Sequence, residues 1–451
     1  MKKILITICA LTAFLLPLTA QSGLDFSGEV ESSWGAAAPW TDSDTAAGRF
    51  LLGNTSFTPS LEAYWGNSSA FVQGSLSYDA TSAGKGLDAL DFSLDEVYLD
   101  YSDSFWGIRI GRQKAAWGKA DGVDITNIIC PSDMSSFAAM TSDDSKLAVD
   151  AVRLSFSGSF FTADFWWIPF FTPSALPLEE GNSLRKFLVP ASVEFPLAAL
   201  NTVLTLPVNI ASLEEPELAL WNGEYALKLS GYLSALDFSL YGFYGWDDLP
   251  FLDYTITYGE AIAPYPAMPN GITVSGTYKR MAMIGADAAL PLGETVIRLE
   301  TAFFPQRHFQ KSASSIMQDS ALASAEEKRN ELSALAGIDW MPSGWTITAQ
   351  YFCDAVFGDL ENLEREEAYT HGATLSISKS FVNETLETSL SALVNFGDFD
   401  SLISPSVSYS LSDQIKFSLG AYIFIPGPEE DGEYGAYKDL SSIYLNAKFS
   451  F

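Results

Sequence analysis

The sequence predicts an all-β protein that forms a transmembrane antiparallel β-barrel of about 18 strands, with about 16 or 20 strands as alternatives. Three observations lead to this prediction. They are an export signal at the N-terminus, segments of about ten residues in which apolar and polar side chains alternate, and connections that are short and long in turn.

The N-terminal residues have the pattern of a cleaved signal peptide. Lys2 and Lys3 precede an apolar run over residues 4–18, and Ala20 provides a small residue for cleavage. The run is too short to span a membrane as a helix. We therefore expect a signal peptide over residues 1–20, and an outer-membrane β-barrel with long extracellular loops over residues 21–451, located in the bacterial outer membrane.

Composition excludes several other classes of protein. The content of 47% hydrophobic and 14% aromatic residues is too high for a disordered chain, yet residues 21–451 contain no uninterrupted apolar stretch of about 18 residues. A helical membrane protein is therefore excluded. The formal net charge of −31 argues against nucleic acid as a partner. Cys130 and Cys353 are too few for a disulfide framework, and the sequence leaves open whether they pair.

The alternation places successive side chains on opposite faces of extended strands. In residues 223–232, Tyr225, Leu227 and Leu229 share one face, and charged or small residues occupy the other. In residues 296–303, Arg298 and Glu300 share the face opposite to the apolar side chains. A soluble β-sandwich would show the same period, so alternation alone does not identify a barrel.

The connections favour the barrel. Tight turns at one end and long loops at the other are typical of outer-membrane barrels. Short turns are predicted near residues 65–67, 103–104, 157–159, 235–236, 291–293, 342–344, 382–384 and 411–413, and long segments over residues 36–49, 79–91, 119–145, 172–221, 247–272, 305–330, 358–367 and 427–440, with one shorter connection near 397–400.

The strand count depends on residues 172–221. It is about 18 if they form one loop, and about 20 if residues 189–195 and 202–210 form an extra hairpin in the wall. Pro190, Pro196 and Pro207 would each remove a hydrogen-bond donor from that hairpin, which favours the lower count. Residues 320–336 have helix-like spacing and are expected to form a helical insertion beside a loop.

The C-terminal residues alternate up to a terminal aromatic residue. Residues 443–451 end in Phe449, Ser450 and Phe451. This resembles the last strand of bacterial outer-membrane barrels, which the barrel-assembly machinery recognises. The resemblance implies that Phe449 and Phe451 form an insertion signal, and that outer-membrane lipid and the assembly machinery are partners of the chain.

The most distinctive motif lies in residues 109–133, which read RIGRQKAAWGKADGVDITNIICPSD. The spacing GRQxxxWGxADG, followed by PxD, resembles a motif of large porin-like outer-membrane barrels that include alginate exporters and uptake channels for organic solutes. The sequence WWIP at residues 166–169 and NGEY at residues 222–225 are also similar to that group. The resemblance covers mainly residues 90–250 and implies an outer-membrane channel, with a substrate that it does not specify.

Charged side chains on the inner face are candidates for the pore lining. Arg109 and Gln113 share a face with Gly107 and Gly111, whereas Arg112 falls on the lipid face unless a bulge near Gly111 turns it inward. We expect a basic rung that faces acidic residues across the pore; the alternative is that these pairs only stabilise neighbouring strands. The candidate pore-lining residues are Glu96, Asp100, Arg109, Arg112, Gln113, Trp117, Arg153, Trp166, Glu224, Lys228, Arg298 and Glu300.

Other functions are less well supported by the sequence. His308 and His371 are the only histidines and lie in no catalytic motif, so we expect no enzyme activity and no cofactor. Asp121, Asp124 and Asp133 lack EF-hand spacing, and no metal site is expected. The alternatives to a porin-like channel for small solutes are an adhesin or antigen barrel with a closed lumen and, least favoured, an outer-membrane hydrolase.

The ion preference of such a channel follows from two opposing charges. Acidic loops at the mouth favour cations at low salt, whereas the basic rung acts within the pore. We expect a modest cation preference that weakens or reverses as salt screens the loops.

Overall fold

The computed structural model describes residues 22–38, 47–81, 89–142, 145–179, 182, 184–197, 202–261, 267–318, 324–428 and 432–451. The predicted signal peptide over residues 1–20 lies outside the described residues.

The described chain is almost entirely β-structure. Its strands, in chain order, are β1 (Ser22–Ala37), β2 (Phe50–Trp65), β3 (Ser68–Asp79), β4 (Leu90–Ser102), β5 (Trp106–Gln113), β6 (Val149–Ser157), β7 (Phe161–Ile168), β8 (Ser192–Leu197), β9 (Thr202–Glu214), β10 (Glu224–Leu233), β11 (Leu236–Trp246), β12 (Phe251–Tyr258), β13 (Pro269–Thr277), β14 (Arg280–Leu292), β15 (Thr295–Gln310), β16 (Glu326–Trp340), β17 (Trp345–Phe357), β18 (Tyr369–Phe381), β19 (Leu386–Asn395), β20 (Asp400–Ser412), β21 (Ile415–Ile425) and β22 (Ser442–Ser450). Short helices cover Phe137–Met140, Arg185–Leu188 and Ala313–Gln318.

Eighteen of these strands form one closed antiparallel barrel. Each barrel strand pairs with the next one along the wall, β7 pairs with β10, and β11 pairs with β14. The barrel closes because β1 pairs with both β2 and β22. The predicted fold class and the count of 18 strands are therefore confirmed.

Side chains alternate between the two faces of the wall as the sequence predicts. In β10, Tyr225, Leu227 and Leu229 face outward and are exposed, whereas Ala226 and Ser230 face the interior and are buried. In β15, Leu299 and its outward neighbours are exposed in the same way. The outer face is thus apolar and aromatic, and the inner face carries the polar and charged residues.

The two ends of the barrel differ in their connections. All eight predicted short turns join consecutive strands at one end, here called the turn end, which also carries both ends of the barrel chain. The long connections lie at the other end, here called the loop end. Non-glycine residues with positive φ occur at tight turns of the turn end, for example Ser343 at 49° and Asn383 at 54°.

A second, smaller sheet forms from two of the long connections. Its order is β12, β13, β9, β8, and β9 pairs with β13 in parallel. The hairpin considered within residues 189–210 does form, as β8 and β9, but it lies outside the barrel wall. Pro196 is tolerated in β8 because β8 is an edge strand of the small sheet, where a missing N–H donor need not leave a neighbour unpaired. Apolar side chains pack in this sheet, among them Val189, Leu206, Val208, Ile272 and Val274.

The predicted helix over residues 320–336 is wrong where the structure describes these residues. Residues 326–336 belong to β16, and the nearby helix is Ala313–Gln318. The charged run at residues 326–329 pairs with β15 in register, and Glu327 lies 3.6 Å from Lys311 and 2.7 Å from Arg329. Cross-strand pairing therefore outweighs the local helical spacing.

The largest apolar cluster lies inside the barrel. Residues 114–148, which join β5 to β6 and are here called the inner loop, enter the interior and pack Trp117, Ile125 and Ile129 against inner-face residues such as Tyr241 and Met283. A second cluster at the loop end joins the inner loop and residues 184–187 to the opposite wall, and it includes Ala37, Leu52, Phe137, Leu184, Phe424 and Leu440. Within the described ranges, no helix is long and apolar enough to cross a membrane.

Candidate constriction inside the barrel

Glu300 holds the tip of the inner loop against the wall. It lies on the inner face of β15 and is only 3% exposed. Its Oε2 accepts hydrogen bonds from the backbone N–H of Lys119 at 2.5 Å and of Ala120 at 2.9 Å. Its Oε1 accepts hydrogen bonds from the backbone N–H and the hydroxyl of Thr126, at 2.8 and 2.7 Å. One carboxylate therefore joins both sides of the turn over residues 119–126 to the barrel.

Gln350 holds the same turn from a nearby strand, β17. The N–H of Asp121 donates to Oε1 of Gln350 at 3.0 Å, and Nε2 of Gln350 donates to the carbonyl oxygen of Asp121 at 2.6 Å. Nε2 also donates to Oγ1 of Thr374, which orients the amide. These contacts use only the main chain of Asp121, and its carboxylate takes no part in them.

Arg298 forms the third anchor of the loop tip. Its Nη2 lies 2.5 Å from Oδ2 of Asp339, and its Nη1 donates to the carbonyl oxygen of Lys119 at 3.0 Å. Nη1 also lies 3.7 Å from Oδ2 of Asp121. The guanidinium charge is therefore largely balanced by wall and loop oxygens, and Arg298 is a structural contact of the constriction.

The glycines of the GRQxxxWGxADG motif have a conformational explanation. Gly111, Gly118 and Gly122 have φ angles of 131°, 85° and 74°, which other residues adopt at a cost. At Gly118, a Cβ atom would overlap Oε1 of Glu300, and at Gly111 it would overlap the carbonyl oxygen of Val97. The motif therefore encodes the entry of the loop into the barrel and its close approach to Glu300.

Trp117 packs in the interior but belongs to the loop and not to the wall. Its ring centroid lies 4.8 Å from that of Tyr241 on β11. The hydroxyl of Tyr241 accepts a hydrogen bond from the N–H of Gly118 at 3.2 Å and donates to Oδ2 of Asp287. Trp117 is buried, so it supports the loop and does not line an open space.

The loop tip lies about a third of the way along β15 from the turn end, near the middle of the expected apolar band. Strand β15 begins at Thr295 and strand β17 begins at Trp345. Glu300 and Gln350 each lie five residues further along their strand. With about 3.3 Å per residue and a strand tilt of about 40°, both lie about 13 Å from the turn end. This is about half of the 25 Å apolar band that is typical of outer-membrane barrels. The anchored tip thus occupies part of the interior at mid-height of this band.

Three predicted basic residues face the interior beside wall partners. Arg109 lies 2.7 Å from Asp100 on the adjacent strand, and its guanidinium lies 4.0 Å from the ring centroid of Tyr98. Arg153 lies over the ring of Trp166, and Lys228 lies over the ring of Tyr241. The acid nearest to Arg109 is therefore its neighbour in the sheet and not a residue across the pore.

The expectation that a bulge turns Arg112 inward is wrong. Both pairings of β5 run through Gly111 without a shift in register. Arg112 keeps the outward face of Ile110 and pairs with Asp150, whose carboxylate lies 3.5 Å from the guanidinium. The strand continues through the positive φ of Gly111 without a bulge. The ion pair of Arg112 with Asp150 lies on the outer face near the loop end, and it offsets the cost of placing the Arg112 charge there.

Glu96, Gln113 and Glu224 face inward, and Gln113 and Glu224 do not line an open lumen. Gln113 is fully buried, and its Nε2 donates to the carbonyl oxygens of Gly111 and Ala151. Glu224 is buried and accepts the N–H of Trp246 at 2.8 Å. Glu96 accepts the N–H of Lys114 at 2.8 Å, at the start of the inner loop. The assignment of Gln113 and Glu224 to the pore lining is corrected, because both are buried, whereas that of the partly exposed Glu96 stays a prediction.

Sequence reasoning did not identify the partners that hold the loop tip. Gln350, Thr126, Tyr241 and Asp287 were not candidates, and Asp121 was considered only for calcium. Gln350 and Asp287 lie on the inner face by simple alternation, and this signal could have found them. The contact between Glu300 and Lys119 could not have been found in this way, because it spans 181 residues.

The two cysteines do not pair. Cys130 is buried in the inner loop, its Sγ accepts the N–H of Ala115, and burial raises the pKa of its thiol. Cys353 is half-buried on the outer face of β17. Among the described residues there is no group of three or more His, Cys, Asp or Glu side chains that could hold a metal ion.

The C-terminal residue lies at the seam of the barrel. Phe451 exchanges backbone hydrogen bonds of 3.0 Å with Gly28, and its ring packs against Phe26 and Phe57. Its function as an insertion signal stays a prediction.

Comparison with known proteins gives a family for this chain. The sequence profile described as "Protein of unknown function (DUF1302)" matches residues 42–410. The chain belongs to the DUF1302 family. No curated protein matches this DUF1302 chain.

Several solved structures resemble the DUF1302 barrel over nearly its whole length. OccAB1 of Acinetobacter baumannii has a TM-score of 0.50 at 8% identity and covers 95% of this chain and 96% of its own. OccAB4 of Acinetobacter baumannii has a TM-score of 0.50 at 6% identity, with 96% and 98% covered. OccK9 (OpdG) of Pseudomonas aeruginosa has a TM-score of 0.50 at 8% identity, with 95% and 97% covered. At these identities the similarity shows the fold of the DUF1302 chain; the resemblance to the alginate-export group stays a prediction.

Proposed function

We propose that this DUF1302 protein is a porin-like channel in the bacterial outer membrane, through which small polar solutes diffuse passively. The observation that carries the proposal is the side chain of Asp121, which is 63% exposed although its main chain is bound to the inner wall at mid-height. A carboxylate with this exposure inside a barrel indicates a water-filled space beside the anchored loop.

The outer face of the barrel supports a location within a membrane. Large apolar residues such as Leu299, Leu419 and Leu445 are exposed there, and in water they would form a continuous patch prone to association. Aromatic residues such as Trp340 and Trp345 lie at the turn end, where membrane barrels carry an aromatic girdle. The predicted signal peptide would export the chain, and the short turns would then face the periplasm.

The inner face supports passage of polar solutes. Next to the strands that bind the loop tip, β18 to β22 carry inward serines that face one another across neighbouring strands. Ser389 and Ser406 lie 2.7 Å apart, and Ser408 and Ser418 lie 2.8 Å apart. Hydroxyl groups can exchange hydrogen bonds with water or with a solute, whereas an apolar interior would exclude both.

A closed barrel that serves as an adhesin or antigen is the second candidate. The cluster of Phe137, Leu184 and Phe424 at the loop end favours it, because these side chains cover part of the mouth. The hydrolase alternative gains no support from the histidines. His371 faces outward beside Tyr351 and Tyr369, and His308 lies against Glu326.

Conductance in a planar lipid bilayer tests this proposal. Purified, detergent-folded protein should give discrete current steps whose size grows with salt concentration, because ions cross a water-filled lumen. The same protein unfolded by heat before addition is the control and should give none. A folded protein that inserts into the bilayer without current steps would contradict a channel and favour the closed barrel.

A further inference from the structure

The charges around the loop tip are not equally accessible. Asp339 and Glu300 are 6% and 3% exposed and are taken up by Arg298 and by the loop N–H groups. The side chain of Arg298 is 26% exposed, whereas that of Asp121 is 63% exposed. Asp121 is therefore the charge that a solute beside the loop tip meets most directly.

The neighbouring charges offset Asp121 only in part, although its Oδ2 lies 3.7 Å from Nη1 of Arg298. Asp124 lies 2.6 Å from Lys146 and accepts a hydrogen bond from Asn127, so this pair is internally balanced. Lys119 is half-buried, and its backbone is tied to Glu300 and Arg298. The wall and the tip together carry five carboxylates against four cations, namely Asp121, Asp124, Asp287, Glu300 and Asp339 against Lys119, Lys146, Lys228 and Arg298.

The position of the Asp121 carboxylate is fixed by the fold. The amide of Gln350 binds the N–H and the carbonyl oxygen of Asp121, and Gly122 gives the following turn its left-handed conformation at φ 74°. The carboxylate takes no part in these contacts. A charge held on a rigid turn acts on passing ions at a constant place, as a charge in a flexible loop does not.

We propose that Asp121 is the fixed charge by which this constriction selects cations over anions. The proposal rests on the proposed channel function and gives it a solute class, namely small cations and cationic polar solutes. It differs from the basic rung expected from the sequence, of which Arg112 faces outward and Arg298 is paired with Asp339, while Arg109, Arg153 and Lys228 stay on the inner face. A unit charge about 8 Å away across water changes the local concentration of a monovalent ion about twofold.

Reversal potentials across a potassium chloride gradient test this assignment. The native protein should prefer potassium, and Asp121→Asn should lower the permeability ratio of potassium to chloride about fourfold, because losing the charge halves the local potassium concentration and doubles that of chloride; Asp121→Lys should lower the ratio further. The asparagine keeps the backbone contacts with Gln350, so the loop stays in place and the current steps should persist.

The matched control is Asp413→Asn, at an exposed aspartate in the turn between β20 and β21. This variant also removes one negative charge, but at a position distant from the loop tip. It should leave the permeability ratio of potassium to chloride near the native value. If the native protein conducts and both Asp121 variants keep its ratio, or if Asp413→Asn lowers it equally, the assignment is wrong although the channel stands. If the native protein gives no current, the channel function itself fails, and this assignment with it.

Discussion

Two neighbouring parts of the barrel wall use their inward polar residues differently. On β11 and β14 to β17, inward groups such as Tyr241, Glu300 and Gln350 bind the backbone of the inner loop. On β18 to β22, inward serines bind one another across strands, and the ion pair of Glu387 with Lys416, at 3.1 Å, lies within the wall. The first part positions another segment, whereas the second presents hydroxyl groups to the interior.

The difference shows that an inward charge does not by itself line a pore. Glu300 and Glu387 are both inward glutamates, yet Glu300 is buried under the loop tip and the side chain of Glu387 is about half exposed. What separates them is the partner. Glu300 accepts hydrogen bonds from a segment distant in sequence, and Glu387 pairs with a lysine two strands away in the wall.

The largest effect on the channel current is expected from Glu300→Gln, which weakens the contact between the wall and the loop tip. The amide oxygen can accept from one pair of loop donors, but the amide nitrogen must then face the other pair, so two of the four hydrogen bonds are lost. Each hydrogen bond to a charged group contributes about 1.5–3 kcal/mol, so release of the tip becomes easier by about 3–6 kcal/mol. Single-channel recordings should show a larger mean current and larger fluctuations.

Glu387→Gln is the matched control for that variant. It makes the same chemical change on the inner wall but breaks only a partly exposed ion pair, which contributes about 0–1 kcal/mol. Its current and fluctuations should stay native. Equal recordings from the two variants, or a native recording from Glu300→Gln, would show that Glu300 does not hold the constriction.

A smaller effect is expected from Gly118→Ala. The methyl group would overlap Oε1 of Glu300, and alanine adopts a left-handed conformation at a cost of about 1–2 kcal/mol. Gly122→Ala has the same conformational cost, but its Cβ meets nothing within 4 Å. Current fluctuations should therefore increase more in Gly118→Ala than in Gly122→Ala. The reverse order would mean that contact with Glu300 does not explain the first glycine.

The smallest effect is expected in the serine wall. Replacing both Ser389 and Ser406 by alanine removes one hydroxyl pair, which contributes about 1 kcal/mol, and touches no part of the inner loop. Thermal unfolding in detergent should change little, and the fluctuations of the current should stay native. The comparison variant replaces Ser230 and Ser239 by alanine; their hydroxyl groups lie 3.0 Å apart on β10 and β11. Increased fluctuations in the Ser389 and Ser406 variant would show that this wall also positions the loop.

The inward orientation of several site residues could be predicted from alternation alone, while their role in lining the pore stays a prediction. Arg109, Arg153, Lys228 and Arg298 lie on the inner face, as the period of two requires. Arg112 was assigned inward by assuming a bulge, since an unpaired charge on the outer face is costly. The structure instead provides Asp150 on the next strand, a partner that alternation along one strand could not reveal.

The sequence by itself determined the barrel, favoured about 18 strands over about 20, and determined the faces of the clearly alternating strands and the end at which the short turns lie. These features are local, because the period of two and the turn residues act over a few positions. Only the tertiary structure decided which inward residues meet water and which hold a loop. That choice depends on contacts such as Glu300 with Lys119 and Gln350 with Asp121, separated by 181 and 229 residues. Folding brings these partners together through the closure of the whole wall, which no local pattern encodes.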